Sequence, residues 1–270
     1  MPTILREVRK HFRVYAVLLR MNLMSQMEYR ANFVTGFLME LGYLAVKILY
    51  VVVAFSSGRS VAGLSPDEML VFVGVFVTST AFYAGIYMTN FFQLSAIVKD
   101  GSFDTLMTKP VSLQFLATLR RNDPAIFLVD FLAGSAMTIV GLSRLPGLLE
   151  AWRLLGYVFF LVCGAAVGYS LYLIPQALVF KLIDARAIAG ISDSFWDFNN
   201  VPMVVYGKVG QAIGTYAIPM FLIASFPSLF ALGRIGGAQL VWGGLAPVIF
   251  IAISRIAWKR GLKAYTSATG

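Results

Sequence analysis

The sequence predicts an all-α membrane protein, a single transmembrane domain over residues 1–270 with six transmembrane helices. The chain is 59% hydrophobic and only 13% charged, whereas soluble domains are nearer half apolar and a quarter charged. Its apolar residues form continuous runs, such as residues 41–55 and 244–258. Barrel strands alternate apolar and polar residues instead, so the runs indicate helices that cross the bilayer.

The chain begins with a predicted amphipathic helix over residues 4–27. At about 100° per residue, its apolar side chains fall on one narrow face and its basic side chains on the opposite one. The apolar set is Ile4, Leu5, Val8, Phe12, Tyr15 and Leu19, and the basic set is Arg6, Arg9, Lys10, Arg13 and Arg20. This pattern is typical of a helix that lies on the inner leaflet. The segment is too charged for the apolar core of a signal peptide, so we expect no cleavage.

Apolar windows predict five spans, at about 32–55, 69–95, 124–142, 152–180 and 236–257. A sixth span must lie between residues 187 and 232, where two arrangements fit the sequence. Either 209–231 crosses the membrane, or 187–206 crosses and 208–232 dips in and returns on the same side. The second piece carries Pro219 and Pro227, and prolines break a straight helix. Both arrangements put the two termini on the same side of the membrane.

The basic residues predict which side that is, because cytoplasmic loops carry an excess of lysine and arginine. Basic side chains cluster in the N-terminal segment, in residues 98–121 and at the C-terminus. The opposite loops carry few, and acidic residues partly offset these: Arg59, Arg144 and Arg153 against Asp67, Glu68 and Glu150. We therefore expect a multi-pass protein of the inner or plasma membrane with both termini in the cytoplasm. The net charge of +9 then reflects topology and does not indicate nucleic-acid binding.

The sequence contains no motif of an enzyme active site. Its one cysteine, Cys163, and its one histidine, His11, are far apart, which leaves little scope for covalent or acid–base chemistry and rules out a cysteine cluster for metal. The only Gly-Lys pair, Gly207–Lys208, lacks the glycine spacing and the Ser/Thr of a phosphate-binding loop. We expect no catalytic residue, no metal site and no cofactor bound by this chain itself.

Three ionisable residues inside predicted spans are candidates for a functional role: Glu40, Lys47 and Asp130. Charged side chains are costly in the membrane and mark transport or proton pathways. Glu40 and Lys47 lie two turns apart on one face of the first span, where they would line a polar cavity or pair with a neighbouring helix. The alternative is that Glu40 lies near the inner interface and Lys47 snorkels outward.

The loop over residues 97–121, between the second and third spans, contains a short polar insert. Asp100-Gly101 predicts a turn, and Ser102 is placed to cap a helix with Asp104 near its positive end. Pro110 would end that helix. A short charged helix of this kind suits docking to a soluble partner, whereas an inert loop with one helical turn is the alternative.

Residues 97–115, IVKDGSFDTLMTKPVSLQF, resemble the signature of the type-2 ABC transporter permeases, I-x-x-G-x-(L/F)-D-x-L-(L/M)-x-x-P-(V/L), with one extra residue before the glycine. The matching residues are Ile97, Gly101, Phe103, Asp104, Leu106, Met107, Pro110 and Val111. Residues 218–233 resemble the family's proline-bearing segment before the last span. The tail WKRGLKAYTSATG, 258–270, is similar to the W-x-x-G-L-x-x-Y-x-S-x-G ending of a bacterial subgroup.

The resemblance implies an architecture and partners. Permeases of this family have six spans, an amphipathic elbow helix before the first, a cytoplasmic coupling helix after the second and a re-entrant hairpin before the last. Two permeases, identical or sister chains, pair around the pathway, and separate ABC ATPase subunits bind ATP and Mg²⁺. For the ambiguous region this implies a span at 187–206 and a hairpin at 208–232. Asp193, Asp197, Asn199 and Asn200 make that span unusually polar.

The function implied by the resemblance is export of a hydrophobic or amphipathic substrate, driven by ATP hydrolysis in the partner. The ATPase-coupling residues would be Gly101, Phe103, Asp104, Leu106, Met107, Lys109 and Pro110. Among these, Asp104 and Lys109 would make polar contacts, and the apolar side chains would seat the helix on the partner. Two alternatives remain: an ion-coupled secondary transporter that depends on Glu40, Lys47 or Asp130, and a non-transporting membrane subunit for assembly or sensing.

Overall fold

The structure is a computed structural model that describes residues 2–28, 30–57, 60, 63–148, 150–182 and 186–265. Every regular element in these ranges is a helix. The α-helices are α1 (Pro2–Glu28), α2 (Arg30–Ser57), α3 (Pro66–Phe82), α4 (Thr89–Lys99), α5 (Phe103–Met107), α6 (Leu113–Leu119), α7 (Pro124–Arg144), α8 (Ala151–Gln176), α9 (Arg186–Asp197), α10 (Lys208–Ala212), α11 (Ser225–Ala231) and α12 (Gly237–Leu262).

Shorter helical turns of other kinds join several of these helices. Tyr83–Met88 and Ile213–Ala217 are π-helical, and the others are 3₁₀ turns: Ala177–Phe180, Phe198–Asn200, Met203–Val205 and Met220–Leu222. The first π-helical turn links α3 to α4 without a break, so the two form one long helix.

Five helical stretches in the described ranges are long and apolar enough to cross a membrane: Phe33–Val53, Pro66–Lys99, Pro124–Arg144, Ala151–Phe180 and Gly237–Leu262. They coincide with the five spans that the apolar windows predict, to within a few residues at each end. The all-helical fold is therefore confirmed, and the five long apolar helices support a multi-pass membrane protein.

Capping side chains set the first residues of two spans. Ser65 precedes Pro66 and forms a reciprocal pair with Glu68, in which each side chain accepts a backbone N–H of the other residue, at 3.3 and 2.8 Å. Asp123 precedes Pro124 and accepts the N–H groups of the next turn. Proline is favoured at the first helical position because its missing N–H is not needed there, so these sequences start α3 and α7 sharply.

The predicted sixth span over 187–206 is not one long helix. α9 has 12 residues, about 18 Å at 1.5 Å per residue, and Pro202 follows the 3₁₀ turn after it. The hydrocarbon core is about 30 Å thick. The alternative span over 209–231 is also interrupted, because it consists of four short helical pieces. The six-span count stays a prediction.

The two ends of the segment 203–225 lie next to each other. The backbone N–H of Met203 donates to Ser225 Oγ at 3.2 Å, and the ring of Tyr206 packs 5.0 Å from that of Phe221. From there α11 runs along the first half of α8, where Phe230 fills the space beside Gly156. The chain between 203 and 225 is therefore folded back on itself.

α3 and α7 are the most closely packed pair of long helices, because glycines bring their backbones together. A Cβ atom on Gly134 of α7 would lie 2.5 Å from the carbonyl oxygen of Gly74 on α3, and one on Gly74 would lie 2.7 Å from the backbone nitrogen of Thr138. Small residues at such crossings are the usual basis of tight helix packing in membranes. α3 is accordingly the central helix, with residues 71–81 all buried.

α1 and α2 lie at the periphery. α1 is one continuous helix, as predicted, and its apolar residues Leu5 and Phe12 are 70% and 73% exposed. It contacts the loop over 97–121, since His11 Nε2 accepts the N–H of Ser112 at 3.4 Å. α2 touches α1, α3 and α7 but leaves most of its apolar side chains uncovered. Whether α1 serves as an elbow helix stays a prediction.

Candidate functional site

The short helix that the sequence predicts after Gly101 is present as α5, and a tight turn precedes it. Its role as a coupling helix stays a prediction. Gly101 has φ +78°, a backbone conformation that side chains with a Cβ rarely adopt. Asp100 Oδ1 accepts the N–H of Ser102 at 2.9 Å and also its hydroxyl, and these bonds lower the pKa of Asp100. Ser102 was expected to cap α5, which is wrong: its hydroxyl is engaged by Asp100, and its side chain makes no capping bond.

The apolar residues of α5 pack against the protein's own chain. Phe103 is fully buried, with its ring centroid 5.2 Å from that of Phe180 and 5.1 Å from that of Tyr265. Leu106 is 5% exposed. The expectation that these two side chains seat the helix on a partner needs correction, because neither reaches the surface. They hold α5 against the ends of α8 and α12.

Asp104 takes part in the same internal contact. The hydroxyl of Tyr265 donates to Asp104 Oδ1 at 2.9 Å. Burial, together with the negative charge of Asp104, raises the pKa of Tyr265 to about 12. Tyr265 belongs to the tail pattern that begins at Trp258 and includes Gly261. The last residues of that pattern, 266–270, lie outside the described residues. A Cβ on Gly261 would lie 2.4 Å from the carbonyl oxygen of Ala177, so the pattern brings α12 against the end of α8.

The remaining predicted coupling residues with large side chains lie at the end of α5 and just after it, and they are exposed. Met107 is 51% exposed, and Lys109 and Pro110 are exposed. We call this surface, formed by Met107, Lys109 and Pro110, the knob. The loop behind it is well fixed: the Asn90 side chain on α4 bonds both the N–H and the carbonyl of Arg121, at 2.8 and 2.5 Å. The knob is thus a rigid projection at one end of the helical bundle.

A second candidate site lies near the middle of the long helices, between α2, the α3–α4 helix and α9. It is a cavity of about 420 Å³ with polar side chains on its wall: Glu40, Tyr43, Thr80, Tyr83, Asp193 and Asp197. Ala84, Met88 and Trp196 complete the lining. Tyr83 is 17 residues from the start of the 34-residue helix, so the cavity lies about half-way along it. We call this the central cavity.

The three ionisable candidates from the sequence lie at or beside the central cavity. Asp130 on α7 is fully buried, and its carboxyl group lies within hydrogen-bonding reach of that of Glu40. No side chain or backbone donor among the described residues reaches either oxygen of Asp130. Lys47 donates to Asn200 Oδ1 at 2.8 Å and sits 4.5 Å above the ring of Phe76. The structure therefore brings Glu40 together with Asp130 and directs Lys47 toward the end of α9.

Asp193 is held in place by two tyrosines. The hydroxyls of Tyr83 and Tyr172 donate to its Oδ1 at 2.7 and 2.6 Å. Trp196, one turn further along α9, stacks on the Tyr83 ring with centroids 4.2 Å apart and planes 21° apart. Tyr83 opens the π-helical turn of the α3–α4 helix, and such turns are frequent at functional sites because they change the direction of side chains.

The sequence alone did not identify Asp193 and Asp197 as site residues. It showed them only as polar residues that are unusual in a span. Their signal is their spacing, because residues at i, i+3 and i+4 share one face of a helix, and Asp193, Trp196 and Asp197 have that spacing. Tyr83 also lacked a clear signal, since one tyrosine among several aromatic residues of a span is most often a packing residue.

Comparison with known proteins gives one match. The family described as ABC-2 family transporter protein matches residues 41–269. No curated protein and no solved structure matches the chain. The matched region contains the knob, four of the five long apolar helices in full and most of α2. The chain therefore belongs to the ABC-2 transporter family and is a type-2 ABC transporter permease, the membrane component of an ABC transporter.

Proposed function

We propose that this permease exports a hydrophobic or amphipathic substrate with energy supplied by separate ATPase subunits. Membership of the ABC-2 family supports an ABC ATPase as the partner. In this proposal ATP and Mg²⁺ bind to that partner, and the present chain supplies the membrane pathway and the surface through which the partner acts. The chain itself is not an enzyme.

One observation carries the coupling role: α5 is anchored to the ends of two long helices and still presents an exposed side. Phe103 lies between Phe180, which follows α8, and Trp258 of α12, at 5.2 and 6.4 Å between ring centroids. A partner that moves the knob therefore displaces α5 as a rigid body, and the contacts of Phe103 pass the displacement to α8 and α12. A flexible loop would absorb the same motion.

Other features support the wider architecture of this proposal. The uncovered apolar surface of α2 suits contact with a second permease, identical or a sister chain. The return of residues 203–225 to their starting place supports a re-entrant hairpin over 208–232 and a sixth crossing within 187–206. The charge distribution supports the inner or plasma membrane, with both termini and the knob in the cytoplasm and α1 as the elbow helix.

The proposal is tested by altering the knob. We expect the double variant Met107→Asp, Lys109→Glu to lower recovery of the ATPase with the affinity-purified permease by about tenfold or more, the equivalent of about 1.4 kcal/mol. The reason is that it places two negative charges on the surface that would contact the partner. The measurement is the ratio of ATPase to permease after co-purification, together with ATP turnover of the complex.

The matched control is Lys208→Glu, the same reversal at an exposed lysine far from α5 at the start of the proposed hairpin. It should leave both the ratio and the ATP turnover unchanged. Normal co-purification and turnover of the knob variant would contradict the coupling role. Binding of the ATPase without ATP-dependent movement of any substrate would favour the non-transporting subunit instead.

A second candidate function is ion-coupled transport, which the paired carboxyl groups of Glu40 and Asp130 favour. Buried carboxyl pairs are typical of proton relays in membrane carriers. The two functions separate on their energy source. Transport that collapses with a proton ionophore and continues with a hydrolysis-deficient ATPase would support the ion-coupled carrier, and the reverse result would support the ABC exporter.

A further inference from the structure

We infer that the central cavity binds an amphipathic organic cation, an ammonium-like or phosphonium-like charge attached to an apolar body. This inference rests on the proposed transport function and specifies the substrate class for it. The cavity has the size of a small-molecule site, since such pockets hold about 300–1,000 Å³ and this one about 420 Å³.

The charged side chains in the cavity lining are acidic. Three carboxyl groups line the cavity, those of Glu40, Asp193 and Asp197. Among the described residues, the cationic side chain near them is that of Lys47. It is already engaged with Asn200 and lies over the rings of Phe76 and Tyr43. Carboxyl groups at membrane depth are costly unless a positive charge or a proton compensates them. The cavity therefore suits a cation.

Asp130 is a separate feature next to the cavity. Its side chain is fully buried and lies close to Glu40 and Tyr43, two residues of the cavity lining. Neither of its oxygens receives a hydrogen bond from a donor among the described residues, and Glu40 Oε1 is likewise buried without one. A buried acceptor without a donor destabilises the folded protein. A cation in the cavity beside Glu40 would supply the positive partner that this carboxyl pair lacks among the described residues.

Aromatic rings form another part of the cavity wall. Tyr83 and Trp196 stack on each other and both contribute to the cavity lining, next to Ala84 and Met88. Aromatic faces attract cations through the ring quadrupole, with tryptophan the strongest. Tyr83 also donates its hydroxyl to Asp193, so the ring and the carboxylate are fixed relative to each other. A wall of aromatic rings and carboxylates, with an apolar strip beside it, fits a charged head and an apolar body.

The same features argue against an anionic substrate such as a phospholipid or an acidic polysaccharide. Phosphate and carboxylate groups need arginine or lysine donors, and among the residues that line the cavity the charged ones are all acidic. A test can therefore distinguish a cationic from an anionic substrate by charge alone.

The test compares two probes of the same shape and opposite charge, tetraphenylphosphonium and tetraphenylborate, binding to the purified full chain in nanodiscs. Binding to protein-free nanodiscs is subtracted. We expect the wild-type chain to bind the phosphonium at least about tenfold more tightly than the borate, a difference of about 1.4 kcal/mol. Equal affinities, or a preference for the borate, would overturn the inference without any variant being made.

Variants then locate the site. Asp193→Asn with Asp197→Asn keeps the side-chain shape and removes two charges, so phosphonium affinity should fall by about tenfold or more. The matched control, Glu28→Gln at the end of α1, removes an exposed carboxylate outside the cavity and should leave phosphonium affinity unchanged. Equal phosphonium binding by the double variant and the control would overturn the assignment to this cavity. Gel filtration and thermal unfolding of each variant establish that it is folded.

The outcome is independent of the proposed coupling to ATP, because binding is measured without the ATPase. Selective phosphonium binding together with failure of the knob experiment would retain the cation site and remove the ABC exporter mechanism. A functional knob with no preference for the cation would remove the cation site alone. Proton-coupled transport that depends on Asp193 and Asp197, without phosphonium binding, would assign these carboxylates to a proton relay and contradict the inference.

Discussion

Phe103 is the residue that organises the coupling region. The signature pattern places an apolar residue on either side of Asp104, and the structure buries both of them, Phe103 and Leu106, within the chain. The pattern therefore predicted a short helix that the structure contains, but it did not indicate which of the side chains in that helix are buried. That depends on Phe180, Trp258 and Tyr265, which are distant in sequence and close only in the folded protein.

The contact between Tyr265 and Asp104 leads to a pH prediction. Tyr265→Phe removes one hydrogen bond to a carboxylate, so we expect it to lower the free energy of unfolding by about 1 kcal/mol at neutral pH. The folded-state pKa of Tyr265 is raised to about 12, above its ordinary value of about 10. The stabilisation is thus fully present below about pH 10 and is lost as the pH rises through about 12.

The measurement is the difference in unfolding between wild type and Tyr265→Phe in detergent across this pH range. A suitable control is Tyr216→Phe, because Tyr216 is exposed and no hydrogen bond is found for its hydroxyl among the described contacts; this change should be close to neutral. A Tyr265 difference that grows with rising pH would contradict the hydrogen bond, since it would mean that the neutral phenol is not the stabilised form.

Among the helices, the long ones were predictable and the short ones were not. Continuous apolar runs fixed the five long helices, and the Ser65-Pro66 and Asp123-Pro124 pairs account for where two of them begin. The pieces between 186 and 231 have no such signal, because polar residues and prolines interrupt them. Their form depends on contacts with α8, such as that of Phe230 at Gly156 and that of the Ile223 backbone at Gly164.

The crossing of α3 and α7 gives a prediction for a whole pair of helices. Gly134→Ala adds a Cβ that would lie 2.5 Å from the backbone of α3, and both contacting groups belong to rigid helices. The helices must separate, so we expect a loss of about 1–3 kcal/mol of stability. The measurement is thermal unfolding in detergent.

The matched control is Gly42→Ala on α2, where a Cβ would meet no atom within 4 Å. There the change should be neutral or slightly stabilising, by up to about 1 kcal/mol, because alanine is the better helix former. Equal unfolding temperatures for the Gly134 and Gly42 variants would mean that α3 and α7 do not pack as closely as the structure shows.

In the molecule as a whole, the central cavity illustrates the limit of sequence reasoning. Glu40, Lys47 and Asp130 stood out because ionised side chains are rare in spans, and Glu40 lines the cavity while the other two lie beside it. Asp193 and Asp197 are equally part of it but lie in a segment with no clear span signal. Their role is visible only where α9 meets α2 and the α3–α4 helix, which are far away along the chain.

The topology of the last third of the chain is the whole-molecule prediction, and it is tested with single cysteines in a Cys163→Ala background. Val209→Cys is the decisive variant, because Val209 is 74% exposed and lies at the start of the proposed hairpin. If residues 187–206 cross the membrane and 208–232 re-enter, position 209 is on the outer side. If residues 209–231 cross instead, it is on the inner side.

A membrane-impermeant maleimide applied to intact cells separates the two arrangements. We expect it to label Val209→Cys, and also Pro146→Cys in the predicted outer loop, because both residues are exposed and the proposed topology puts them on the outer side. Lys109→Cys, in the knob, should react only after the cells are permeabilised. Labelling of Val209→Cys only after permeabilisation would exclude the hairpin and make 209–231 the span. Labelling of Lys109→Cys in intact cells would mean that the protein has the opposite orientation in the membrane. The knob would then be out of reach of any cytoplasmic ATPase.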